Sequence, residues 1–307
     1  MTPISKSIIH TLAFYDAVGG VPLTKIELYK YLVATPGLPV TTFSNFLKIL
    51  DSEWFFLSAY VDRRRGFYFL KKNTDAYAKR VERGKAGIKK WRIARRIAKI
   101  ISFLPYVRMI AITGSLALHA TNKNSDIDVL IVAKGGHIWT TRVFVSALTH
   151  ILRKRRHGGK IRDRICLNHY IADTEPSLRP KHLFSAHICS TFLPIWNRGK
   201  INERIAERNM TWATAYLPNF SRKNTININM LSFEPRLLYA ICYFAEYAIT
   251  KTVSRGLEPA LKTLQMRKIQ RGKFIADDNA LVFHHPRPQN QEALYLYEQN
   301  LKQLRLS

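Results

Sequence analysis

One segment restricts the fold more than any other. The run Val107-Arg108-Met109-Ile110-Ala111-Ile112-Thr113 leads into Gly114-Ser115, a polar loop follows, and Ser125-Asp126-Ile127-Asp128 opens a second apolar run. Apolar runs of this length, bounded by turn residues, predict two buried strands. Gly114 lets the backbone bend and approach a phosphate with no Cβ in the way, and Ser115 offers a hydroxyl and an N–H at the start of an expected helix. Side chains alternate along a strand, so Asp126 and Asp128 share one face while Ile127 and Val129 turn to the core. Paired carboxylates suit a hard cation such as magnesium, which keeps some of its water and takes phosphate oxygens as further ligands. The segment therefore predicts a metal and triphosphate site.

A Gly-Ser after one strand and an Asp-x-Asp on the next resembles the DNA polymerase beta-like nucleotidyltransferase superfamily. The resemblance implies a mixed sheet with helices and a nucleoside triphosphate substrate. By the same resemblance Gly114, Ser115 and Ser125 bind the nucleotide, and Asp126 and Asp128 bind two metal ions, magnesium or manganese. These ions would align an acceptor hydroxyl with the α-phosphate, and pyrophosphate would leave. Active members usually add a third carboxylate from a later strand, which binds a metal and helps activate the hydroxyl. Here that strand is Arg164-Ile165-Cys166-Leu167-Asn168-His169-Tyr170-Ile171. Strict alternation gives Ile165, Leu167 and Ile171 one apolar face and sets Cys166, Asn168 and Tyr170 beside the aspartates. Asn168 thus occupies the third catalytic position, where an amide oxygen can ligate a metal but cannot act as a base. Asp163, just before the strand, is the alternative carboxylate. Trp139-Thr140-Thr141-Arg142, together with the Cys-Leu-Asn strand, is similar to a bacterial branch of the superfamily with an amino-terminal winged helix. Arg142 is a secondary candidate for nucleotide binding, against the alternative of a plain surface arginine.

The flanking sequence predicts an α+β chain in four parts. Residues 1–74 carry three short helical patterns, with Thr24 a plausible N-cap of the second. An alternating run from Phe55 to Val61, a turn over Asp62–Gly66 and Phe67-Tyr68-Phe69-Leu70 then predict a β-hairpin. Helices followed by such a hairpin resemble a winged helix-turn-helix, in which Arg63, Arg64 and Arg65 would form a nucleic-acid-binding wing tip; a protein-docking wing is the alternative. Residues 75–104 read as a basic amphipathic connector helix, either phosphate-binding or simply solvated. Residues 105–180 form the expected nucleotidyltransferase core, and 181–307 a helical C-terminal region in which Trp196, Asn209 and Trp212 are candidate acceptor-pocket residues or packing residues. Arg153–Lys160 reads as a flexible basic loop, and the pair His284-His285 lacks the cysteine or carboxylate spacing of a metal site.

Lysine and arginine number 49 against 21 acidic residues, a formal charge of +28 whose field attracts polyanions, so RNA or DNA is an expected partner. Three scattered cysteines without CxxC spacing fit a reducing cytoplasm, and no apolar run predicts a membrane segment. Oligomeric state leaves no trace in the pattern. Two functions follow as expectations: magnesium-dependent transfer of a nucleoside monophosphate to an acceptor hydroxyl, or a weak or inactive nucleotide-binding regulator with a DNA-binding winged helix.

Overall fold

The structure, a computed structural model, describes residues 1–220, 236–252, 254–269, 274–283 and 289–306. Its N-terminal unit begins with α1 (Pro3–Ala17), where Thr2 caps the first turn and Pro3 occupies a position that needs no donor. β1 (Leu23–Thr24) leads into α2 (Lys25–Lys30), which carries a full capping box: Thr24 accepts from the Glu27 N–H and Glu27 accepts from the Thr24 N–H. α3 (Phe43–Ser52) follows, and then α4 (Trp54–Leu57) takes the place of the alternating strand expected there. The hairpin is shorter than its sequence suggests, with β2 (Val61–Arg64) and β3 (Phe67–Leu70) closing on Arg65-Gly66. Both turn residues have positive φ, 49° and 83°, as a tight two-residue hairpin requires. Arg63 and Arg64 therefore lie on a strand, and only Arg65 is at the tip. β1 completes a three-stranded sheet of order β1-β3-β2.

The basic helix α5 (Ala76–Ile101) buries Ala94, Ile97, Ala98 and Ile101 and keeps Lys85, Lys89, Arg92, Arg95, Arg96 and Lys99 exposed. Two of its cations are not solvated. Arg80 pairs with Glu27 at 2.8 Å, and Lys90, only 1% exposed, pairs with Asp163 at 2.8 Å. The Lys90 ammonium also donates to the carbonyls of Ser125 and Lys123, which ties α5 to the loop before Asp126.

The central sheet is mixed and six-stranded, in the order β7-β4-β5-β6-β9-β8. β4 (Val107–Ile112) runs into the short α6 (Gly114–Ala117), and β5 (Ile127–Ala133) pairs antiparallel to β4. α7 (Ile138–Ile151) then crosses to β6 (Ile165–Ala172), which lies parallel to β5. Beyond residue 180 the expected helices α8 (Leu183–Thr191), α9 (Ile201–Ala213), α10 (Arg236–Thr252) and α12 (Gln289–Gln303) are present, along with α11 (Ser254–Ile269). The same region also supplies three strands of the sheet, which the expectation of a mainly helical region did not include. β7 (Leu193–Asn197) includes Pro194, tolerated because β7 is an edge strand and the register shifts beside that proline. β8 (Phe274–Ala276) and β9 (Ala280–Phe283) turn through Asp277, whose carboxylate accepts from the N–H groups of Asn279 and Ala280. His284 and His285 lie outside the described residues.

One sheet face packs Ile110, Ile112, Val129 and Ile131 against α5 and α7. On the other, Met109, Ala111, Leu130 and Val132 join a core that runs through α8 and α9 into α1. α12 seals that junction: Asn300 donates to the Ala13 carbonyl and the Tyr297 hydroxyl meets His10 Nδ1 at 2.9 Å. No described helix is long and apolar enough to cross a membrane. Lys90→Met leaves Asp163 to Lys89 and takes the donor from the Ser125 and Lys123 carbonyls, so it should lower the unfolding free energy by about 1–3 kcal/mol in urea denaturation.

Candidate active site

Gly114 opens α6 just beyond β4 with φ +63°, a left-handed conformation that glycine adopts without penalty. A Cβ at this position would sit 2.4 Å from Asp128 Oδ2, so the glycine backbone and the carboxylate approach more closely than any other residue would allow. The Thr113 N–H donates to the Asp128 carbonyl at 3.0 Å and holds the two strand ends in register. Asp126 lies just before β5, on a loop braced by Thr121 Oγ1 to Ser125 Oγ at 2.6 Å and by Lys90. Gly114, Ser115, Ser125, Asp126, Asp128 and Asn168 all line one cavity of about 430 Å³. Its other walls come from the turn after α1 (Gly19, Val21), from α8 (Phe184, Ile188) and from α12 (Glu292, Leu296), with Arg83 and Arg179 also lining it.

A bulge in β6 decides what faces the aspartates. Asp128 pairs with Cys166, but Leu130 pairs with His169, so one residue more is used on β6 than on β5. Cys166, Asn168 and then His169 come to the site side, and Tyr170 turns into the opposite core with Ile131. Ile171, expected beside Ile165, packs with Leu130 and Val132 instead. Strict alternation thus places Tyr170 and Ile171 wrongly, because a bulge inverts the faces downstream of it. His169 is a lining residue that alternation hides.

Asn168 Nδ2 donates to Asp128 Oδ1 at 3.2 Å, and Asn168 Oδ1 is buried without a hydrogen-bond partner. Ligand atoms of Asp126, Asp128 and Cys166 lie within 4.8 Å of one another. Burial pushes the Asp128 carboxyl up to about 7, and the Asp126 charge adds to the rise. Burial and the two carboxylates also raise the Cys166 thiol, so it stays protonated and the donors that remain are oxygens. An orphaned amide oxygen beside two carboxylates fits a hard divalent cation.

Arg156 is the site residue that sequence reading missed. Its Nη1 bonds Asp126 Oδ2 and lies 3.9 Å from Cys166 Sγ. Part of the supposedly flexible loop is pinned, since the Arg156 N–H donates to the Ile165 carbonyl and the Ile165 N–H donates to the Lys154 carbonyl. Asp163 does not replace the third carboxylate, because Lys89 and Lys90 hold its oxygens at 2.7 and 2.8 Å. Arg142 does not line the cavity; it bonds Gln265 of α11. Arg63, Arg64 and Arg65 stand exposed on the hairpin, with Arg63 4.4 Å above the Trp54 ring and the other two over Tyr77. Asn209 is fully buried in bonds to Leu178, Pro176 and Trp212, and Trp196 lies in the core, so none of the candidate acceptor residues Trp196, Asn209 and Trp212 reaches the cavity.

Residues 94–158 match the nucleotidyltransferase domain family. The match runs from the end of α5 through Gly114, Asp126 and Asp128 to the Arg156 segment, and it supports the superfamily suggested by those motifs. It stops before β6, so Asn168 lies outside it. No curated protein and no solved structure matches the chain.

Two measurements probe this geometry. Gly114→Ala should displace the Asp128 carboxylate, weaken Mn²⁺ binding at least about tenfold and cost about 1–2 kcal/mol through its positive φ. Asp128 also links stability to pH. Its folded pKa of about 7 stands above the ordinary 3.8, so its contribution is full below about pH 4 and is lost as pH rises towards 7. A divalent ion relieves that loss, so the Tm gain with Mg²⁺ should be larger at pH 8 than at pH 5 in thermal melts.

Proposed function

We propose that this protein transfers a nucleoside monophosphate from a nucleoside triphosphate to an acceptor hydroxyl, using a divalent metal, magnesium or manganese. The observation that carries the reading is the approach of Asp128 to a glycine bend with no room for a side chain, beside Asp126 and Ser115. Asp126, Asp128 and the Asn168 amide oxygen would hold the metal, which supplies charge neutralisation at the phosphates. Gly114 and Ser115 would cradle the outer phosphates, and Ser125 would face the nucleotide from the loop. In the transfer a bond forms between the acceptor oxygen and the α-phosphorus, the bond to pyrophosphate breaks, and the hydroxyl proton is released to solvent. Positioning and charge account for most of the rate in such chemistry.

The N-terminal unit supports a winged-helix reading through its helices, the β1-β3-β2 sheet and the exposed arginines of the β2–β3 hairpin. With a charge of +28, this favours RNA or DNA as the bound polyanion. Separate, free cysteines support a cytoplasmic setting. Asn168 favours a second reading, a regulator that binds the triphosphate without turning it over. One experiment separates the two. Incubation with α-labelled triphosphates, Mg²⁺ and total cellular RNA should give label transfer at least about a hundredfold above Asp126→Ala and Asp128→Ala. Triphosphate binding without transfer selects the regulator, and transfer that survives both substitutions excludes this site.

A further inference from the structure

The Arg156 guanidinium is fixed among the residues that would bind metal. Its backbone N–H is bonded to Ile165 at the start of β6, and the preceding Arg155 and Lys154 N–H groups both donate to the Thr149 carbonyl at the end of α7. The side chain is mostly buried, 18% exposed, and its partner Asp126 is 12% exposed. On the neighbouring strand a neutral amide, Asn168, bonds the second aspartate. These two features act in the same direction. A third carboxylate would give the site three negative charges, whereas two aspartates with one guanidinium leave a single net negative charge. Arginine stays protonated at any pH at which the fold survives, so this positive charge is permanent.

Two divalent ions in contact repel strongly, and a three-carboxylate site offsets that repulsion. This site has lost one anion and gained one cation. We infer that Arg156 takes the place of the second metal ion, so that the site works with one divalent cation and a built-in guanidinium. The inference rests on the proposed nucleotidyl-transfer reading and deepens it. Arg156 holds Asp126 through one oxygen, and Asp126, Asp128 and the Asn168 amide oxygen would hold the single ion together with the triphosphate. Arg156 acts through Asp126 and is a positioning residue in the sense that its charge sets how many metals the aspartates accept. The backbone anchored from Lys154 to Arg156 also distinguishes Arg156 from a loop residue that swings in only when substrate arrives.

The test counts metal without relying on turnover. Mn²⁺ is titrated by electron paramagnetic resonance into the full chain with a non-hydrolysable α,β-methylene triphosphate. The wild type and Arg156→Lys, which keeps the charge, should each bind one Mn²⁺ per chain. Arg156→Gln should gain a second, at least about tenfold tighter than any weak second binding to the wild type, a change of about 1.4 kcal/mol. The double variant Arg156→Gln with Asn168→Asp, which restores three carboxylates, should bind two, and circular dichroism checks that each variant is folded. Two Mn²⁺ per wild-type chain, or identical stoichiometry and affinity with and without the Arg156 charge, overturns this inference and leaves the transfer reading standing. No Mn²⁺ on the wild type at all overturns both.

Discussion

The contact between the Gly114 backbone and the Asp128 carboxylate sets the terms for everything around it. The carboxylate is pressed against main chain in a poorly hydrated corner with a second carboxylate beside it, so its charge is costly to hold. Such an arrangement persists only if cations or donors offset it. Within the chain that part is played by the Arg156 guanidinium on Asp126 and the Asn168 amide on Asp128, and a bound metal would add to it. The chemistry of the site is then a matter of which positive groups share two aspartates.

The surrounding structure holds that corner from several directions. Lys90 reaches from the basic helix to clamp the loop before Asp126 and simultaneously neutralises Asp163. α5 is therefore more than a charged connector: its exposed cations face solvent while one buried lysine positions the loop before Asp126. A polyanion lying along the exposed side of α5 would rest on the same helix that braces the loop.

The cavity is shared among parts of the chain distant in sequence. Gly19 and Val21 come from the N-terminal unit, Phe184 and Ile188 from α8, and Glu292 and Leu296 from α12. At about 430 Å³ it is of the size of small-molecule sites, so a long polymer would present only an end or a single residue to the aspartates.

Local features were legible in the sequence because they are set by near neighbours. The Thr24 cap depends on Glu27 three positions on, the helix α3 on its own apolar spacing, and the Gly114 bend and the two aspartates on one short strand-turn-strand segment. What tertiary structure decided is different in kind. The bulge in β6 put His169 at the cavity and took Tyr170 away, and nothing within the strand announces where alternation breaks. Strands β7 and β9 joined the sheet through pairings with the distant β4 and β6, and β8 followed through its hairpin with β9; no helical or alternating pattern in their own short segments encodes those long-range pairings. Arg156 became the counter-ion of Asp126 for the same reason: an arginine among several basic neighbours acquires its role only when hydrogen bonds to β6 aim it. The sequence alone determined the acidic pair and the bend that faces it, since both arise from backbone geometry over a few residues. The three-dimensional fold decided which cation and which amide those acids meet, because that depends on strand register and long-range packing.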